Sequence, residues 1–270
     1  MDWKTVIVEV NEGVAHVQLN RPERANALDE ALWRELREAM EWCDRTPEVR
    51  SVVLSGNGKH FCAGIDLSML TSLSARLSDF CEGRKREALR DFILWLQSTA
   101  TSLEKCRKPV IVAIHGACIG GGLDIVLAAD FRYASQDAQF CVREADMAIV
   151  ADVGTLQRLP HVVGEGIARE WIMTACDVDA ARAAEARLVN AVYPDRGALL
   201  DAALATARKL AAKSPLTLRG IKQVLNYSRD HSIQDGLEYV AGWNAAMLMS
   251  EDLEKAAMAG MAGQAPQFRD

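Results

Sequence analysis

Three consecutive glycines, Gly120–Gly122, lie just beyond a run of apolar strand formers, Val110–Ile114, and open the apolar stretch Leu123–Ala129. No other feature restricts the fold of this chain as much. A buried strand opened by Pro109 must run into a junction of bare backbone and then into a buried helix. Glycine leaves the peptide N–H groups unshielded and lets another group approach closely. The N-terminus of the following helix adds a partial positive charge. Such a junction suits an oxyanion that develops during a reaction. The competing reading is a tight turn or a close helix–sheet contact. Asp124, an acid two residues past the glycines, favours the first.

A second segment has the same character. His60-Phe-Cys-Ala-Gly-Ile-Asp66 follows a short apolar strand, Val52–Leu54, and the turn Ser55–Gly58. Alone it is a weak signal, because Ala-Gly is common. Paired with the triple glycine, it supplies the second backbone donor that an oxyanion hole needs.

The remaining pattern gives the fold class. Thr5–Val10 and Val14–Leu19 are β-rich runs joined by Asn11-Glu12-Gly13, a hairpin signal. Apolar residues at 28, 32, 36, 39, 40 and 43 predict an amphipathic helix, with Asn26 or Asp29 as its cap. Residues 71–106 read as helical, and Phe131–Tyr133 and Ala138–Val142 as short strands. Beyond Gly154 the chain reads as almost wholly helical, with Pro215 as a hinge. Strand-then-helix units followed by helices alone indicate an α/β core with a helical tail.

Composition excludes several classes. A formal net charge of -6 argues against binding nucleic acid through a basic surface. The seven cysteines include no Cys-x-x-Cys pair, so reduced core thiols are expected rather than disulfides or a zinc ribbon. The five histidines are isolated, and no metal site is expected. Gly116 and Gly121 have P-loop spacing, but Gly122 stands where the lysine belongs. His115, the glycines and Asp124 interrupt the most apolar stretch, Val110–Ala129, so no membrane span is expected. The N-terminus lacks an apolar signal core and the chain ends Phe-Arg-Asp rather than in a peroxisomal tripeptide, which predicts a cytoplasmic protein.

Asn20-Arg-Pro-Glu-Arg-Ala-Asn-Ala-Leu28, Phe61–Asp66, Ile119–Asp124 and the helical segment Ala180–Asn190 are collinear. In this order they resemble the signature segments of the crotonase (enoyl-CoA hydratase/isomerase) superfamily. The resemblance implies a crotonase-like spiral of ββα units over residues 1–200, which carries the active site. A helical C-terminal region, 201–270, would then form a homotrimer, and two trimers a hexamer. It further implies that the N–H groups of Ile65 and Gly121 polarise the thioester carbonyl of an acyl-CoA. Arg24, Ala63, Asp66 and Leu67 would contact the CoA. No cofactor is implied beyond the CoA of the substrate. The basic cluster with which relatives often end is replaced here by Ala259–Phe268, which leaves a phosphate contact by the tail in doubt.

The segment Ala138–Pro160 narrows the resemblance to Δ3,5-Δ2,4-dienoyl-CoA isomerases. Hydratases typically have glutamates at the positions of Asp124 and Glu144, and a glycine at Asp152. By this resemblance Glu144 takes the C2 proton, Asp152 protonates C6, and Asp124 tunes or hydrogen-bonds the pair. The alternative for Asp152 is a cap on the helix that starts near Gly154. Two rival functions remain: a hydratase in which Asp124 and Glu144 orient a water, and a non-catalytic interaction or RNA-binding member of the fold. Leu237, Val240, Trp243, Met247 and Leu248 form one stripe that reads either as core or as the trimer interface.

Overall fold

The computed structural model describes residues 2–76, 78 and 80–270. The strands are β1 (Val6–Asn11), β2 (Val14–Leu19), β3 (Ser51–Gly56), β4 (Val110–Ile114), β5 (Ala117–Ile119), β6 (Phe131–Ser135), β7 (Gln139–Cys141), β8 (Val178–Asp179) and β9 (Ala191–Tyr193). The helices are α1 (Glu30–Arg45), α2 (Leu67–Arg76), α3 (Glu82–Lys105), α4 (Gly121–Leu127), α5 (Thr155–Val163), α6 (Glu165–Thr174), α7 (Ala180–Glu185), α8 (Arg196–Ala211), α9 (Pro215–Arg229), α10 (Ile233–Met247) and α11 (Glu251–Met261).

The expected hairpin forms: β1 pairs antiparallel with β2 through Glu12 and Gly13, both at positive φ. Two successive positive φ values match the right-handed twist of the flanking strands. From β2 the main sheet continues in parallel through β3, β4, β6 and β9. Alternation of side chains along the strands decides what each face holds. Val52, Leu54, Val110, Val112 and Ile114 enter the large core with residues of α1, α3 and α4. Val53, Ile111 and Ala113 face the other way, onto Leu199, Ala203 and Ala207 of α8. A sheet covered on both faces requires unbroken apolar strands, which β3 and β4 supply.

A smaller sheet, in the order β5-β7-β8, stands next to the glycine junction. Helix α1 is capped by Asp29, whose carboxylate accepts the Leu32 N–H at 2.8 Å. Asn26, the other candidate cap, is fully buried and instead donates to the carbonyls of Asn57 and His60. The helix expected over 71–106 is two helices, α2 and α3, and Leu77 and Asp79 of that expectation lie outside the described residues. The boundary expected at residue 200 falls within α8, a helix packed on the sheet. The helices that leave the sheet therefore begin at Pro215, where Ser214 caps α9. Among the described residues, no helix is long and apolar enough to cross a membrane.

Candidate active site

The segment before α1 and the one after β3 are tied to each other by backbone bonds. Leu28 N–H donates to Gly64 C=O at 2.8 Å, Asp66 N–H to Leu28 C=O at 3.1 Å, and Ala63 N–H to Ala25 C=O at 3.0 Å. In extended chain, successive N–H groups point to opposite sides. With Asp66 bonded inward to Leu28, the Ile65 N–H turns the other way and has no acceptor among the described residues.

The glycine junction lies against this segment. Gly120 N–H bonds the Cys141 carbonyl at 2.9 Å, and the N–H groups of Leu123 and Asp124 fold back to Gly120 C=O. Gly121, first residue of α4, keeps its N–H without an acceptor among the described residues. This is the ordinary condition of a first helical turn. A Cβ placed on Gly64 would sit 3.8 Å from Gly121 N and 3.0 Å from Ile119 O, so the two bare N–H segments are neighbours. The glycines also serve close packing. A Cβ on Gly122 would lie 2.9 Å from that of Cys62, and one on Gly121 would lie 3.0 Å from Leu28 Cδ1. Gly120 has φ +48°, and any side chain there would run into the Glu144 carboxylate at 3.0 Å. The close-packing reading of the triple glycine therefore holds, and the same junction leaves the Gly121 N–H without an acceptor among the described residues.

These N–H groups open onto a cavity of about 560 Å³. Its walls are largely apolar: Leu67 and Leu70 from α2, Leu89, Phe92, Ile93 and Leu96 from α3, and Met147, Ile149 and Val153 from the loops before α5. All three candidate acids, Asp124, Glu144 and Asp152, line the same space. Asp124 lies on α4, Glu144 on the 3₁₀ turn Arg143–Met147, and Asp152 on the loop before α5.

The three carboxyls differ in setting. Asp124 is 1% exposed, and its Oδ1 accepts the Thr155 N–H at 2.6 Å. Burial pushes its pKa up to about 7, the Thr155 hydrogen bond opposes this, and the charges of Glu144 and Asp152 add to the rise. Glu144 is half-buried, and its Oε2 has no partner among the described residues. Burial raises its pKa, and repulsion from Asp152 raises it further. Burial also raises the pKa of Asp152. The Asp152 side chain does not cap α5. That cap comes from Asp124, and Asp152 is held by its backbone carbonyl, which accepts Gln97 Nε2–H at 2.7 Å.

The expected CoA contacts are only partly brought together. Ala63 and Leu67 line the cavity mouth, and Leu67 is 60% exposed. Arg24 is exposed on the short 3₁₀ turn Pro22–Arg24, outside the cavity lining. The Asp66 carboxylate is already engaged by Ser68 Oγ, the Ser68 N–H and Arg21, which hold its pKa below the usual range. Trp33 was not foreseen. It belongs to α1, lines the cavity beside Gly121, and falls one position off the apolar stripe from which that helix was read.

Two bare N–H groups and three carboxyls with raised pKa values, set in an apolar slot, can stabilise an enolate and move protons along it. Residues 9–270 match the family model described as enoyl-CoA hydratase/isomerase. The chain belongs to this family. It is 46% identical to the peroxisomal Delta(3,5)-Delta(2,4)-dienoyl-CoA isomerase of Arabidopsis thaliana, over 96% of this chain and 93% of the relative. It is also 46% identical to the mitochondrial enzyme of that name from Mus musculus, over 94% of this chain and 78% of the relative. Among solved structures, the enoyl-CoA hydratase from Bacillus anthracis superposes with a TM-score of 0.88 at 29% identity, covering 98% of this chain and 99% of that one. The crotonase fold expected from the sequence is thereby established. The cytoplasmic location expected from the two termini is overturned, because these dienoyl-CoA isomerases are peroxisomal or mitochondrial. Terminal residues were too little evidence to assign a compartment.

Proposed function

We propose that the protein converts 3,5-dienoyl-CoA to 2,4-dienoyl-CoA. The observation that carries this reading is the convergence of three carboxyls, each with a raised pKa, on one apolar cavity beside two unpaired backbone N–H groups. The names of the relatives at 46% identity point to the same reaction.

The Ile65 and Gly121 N–H groups accept the thioester oxygen and stabilise the negative charge as it develops there. Glu144 removes a C2 proton. The C2–H pair becomes the C2=C3 bond, the C3=C4 pair shifts to C4=C5, and the C5=C6 pair takes a proton at C6 from Asp152. Each turnover leaves Glu144 protonated and Asp152 ionised, and proton exchange restores the resting state. Burial raises both pKa values and the charge of Asp152 raises that of Glu144 further, which favours the protonated form that a proton donor to C6 needs. Asp124 positions the pair: its bond to Thr155 N–H fixes the start of α5, three residues after Asp152. No cofactor is needed beyond the CoA carried by the substrate.

Hydration is disfavoured by the same bond. Asp124 is buried and committed to Thr155, so it is poorly placed to orient a water with Glu144. Ala63 and Leu67 flank the acyl entrance and Arg24 meets the CoA farther out, while Asp66 acts by holding this segment to Arg21. A homotrimer, or a hexamer of two, is supported by the apolar surface of the last helices. Leu237 is 58% exposed and Leu248, just past the end of α10, 54%, so these members of the stripe are not core in the single chain, while Val240 and Trp243 are half-buried. The test of function is to compare 3,5-dienoyl-CoA with crotonyl-CoA. Conversion of the first to a 2,4-dienoyl product, with hydration of the second much slower, is expected. Efficient hydration with no dienoyl conversion refutes the proposal.

A further inference from the structure

Residues 150–153, which carry Asp152, make no backbone-to-backbone hydrogen bond among the described residues. Backbone of this kind keeps one conformation only where side chains hold it. Its two ends are tied to the other acids: Ile149 N–H bonds the Glu144 carbonyl at 3.0 Å, and Thr155 N–H the Asp124 carboxylate at 2.6 Å. Between these anchors the hold comes from α3. Gln97 Nε2–H donates to the Asp152 carbonyl at 2.7 Å. Two turns further along the same face of α3, Glu104 Oε2 accepts Nε and Nη2 of Arg158 at 3.2 and 2.6 Å, and Arg158 Nη1 approaches the Val153 carbonyl at 3.5 Å. Arg229 of α9 donates to Glu104 as well, which braces this second hold. Gln97 itself does not line the cavity, whereas Leu89, Phe92, Ile93 and Leu96 of the same helix do. One helix thus forms an apolar wall and also grips the backbone of the acid.

We propose that Gln97 is a positioning residue for proton delivery: by holding the Asp152 carbonyl it aims the Asp152 carboxyl at C6 of the bound dienoyl thioester. This rests on the reading of the site as a dienoyl-CoA isomerase. Carbonyl and carboxyl belong to one residue, so a turn of the peptide unit carries the carboxyl with it. In the held conformation the Asp152 carboxyl lines the cavity, and its charge acts on both Glu144 and Asp124. Gln97 stands outside the cavity lining, so its effect on the reaction passes through Asp152. A proton donor must come within hydrogen-bond reach of the carbon it serves. A misplacement of about 1 Å costs roughly a hundredfold in rate. Formation of the enolate by Glu144 and the two backbone N–H groups makes no use of the Gln97 contact.

The test is Gln97→Met, which keeps the length of the side chain and removes the donor. Four quantities are read on the full chain in deuterated water: kcat and KM for 3,5-dienoyl-CoA, the rate of deuterium incorporation at C2, and the melting temperature. The kcat for the 2,4-product should fall by about ten- to a hundredfold. C2 exchange, KM and melting temperature should stay near those of the parent, so the ratio of exchange to product rises. An unchanged kcat overturns the proposal. Equal losses of product and of C2 exchange also overturn it, because a merely structural Gln97 would loosen both steps alike. Should Gln97→Met not fold, the same ratio is read on Gln97→Glu, which keeps the size and sets an acceptor against the Asp152 carbonyl. A parent protein that does not isomerise dienoyl-CoA refutes the functional reading and this proposal with it. A parent that does, with an unchanged ratio in the variant, refutes the role of Gln97 alone.

Discussion

Replacing Asp124 by asparagine should make the protein's stability less dependent on pH, and in a defined direction. In the folded state burial raises the Asp124 pKa from 3.8 to about 7. Between these values the folded chain holds a proton that the unfolded chain has released. A state that binds more protons is favoured at low pH, so this group's contribution to stability falls as pH rises from about 4 to about 7. From pH 5 to pH 8 only the two units between 5 and 7 count, and at about 1.4 kcal/mol per unit the loss is about 3 kcal/mol. Asparagine does not titrate and retains an oxygen to accept the Thr155 N–H, so the cap of α5 survives. Urea unfolding of both proteins at pH 5 and pH 8 gives the comparison. The variant should gain on the parent by about 3 kcal/mol between the two pH values. Coupling to Glu144 and Asp152 spreads this change over a wider range without altering its sign. A stability difference that is the same at both pH values would refute the reasoning, since Asp124 would then keep one charge state throughout.

Glu144→Gln should abolish both isomerisation and C2 hydrogen exchange with solvent, a loss of about a hundred- to ten-thousand-fold typical of a missing general base; persistent exchange would move the base elsewhere. Gly121→Val should destabilise the fold by about 1–3 kcal/mol, because its side chain meets Leu28 and Trp33 rather than open space. An unchanged melting temperature would contradict the packing described. Arg24→Ala should raise KM for dienoyl-CoA with little change in kcat, as expected of a contact equal in ground and transition states. A fall in kcat at constant KM would place Arg24 in the chemistry instead.

Much of this arrangement was legible in the chain. The β4 strand, the glycines and α4 are adjacent in sequence, so a local pattern was enough to mark the junction of bare backbone. The His60–Asp66 segment repeats the pattern, and the family resemblance singled out the Gly121 and Ile65 N–H groups, which have no acceptor among the described residues. What escaped depends on distant partners. Strands β8 and β9 have only two and three residues and sit among Ala, Arg and Glu, where periodicity reads as helix. Their pairing with β7 and β6 supplies the order that their own residues do not. The cap of α5 is another case. Asp152, two residues before Gly154, was the local candidate, yet Asp124 fills the place from 31 residues away. That exchange leaves Asp152 free to face the cavity, and no sequence window short enough to read would have shown it. Trp33 was missed because its neighbours at 32 and 36 already accounted for the buried face of α1.

The claim that Glu144 and Asp152 act at opposite ends of the diene is tested most directly by Asp152→Asn in deuterated water. The variant keeps its size and the Gln97 contact to the residue 152 carbonyl but has no proton to give at C6. With 3,5-dienoyl-CoA it should form no 2,4-product while still incorporating deuterium at C2, since Glu144 and the two N–H donors remain. Full isomerisation by Asp152→Asn, or loss of C2 exchange together with isomerisation, would contradict the division of labour between the two acids.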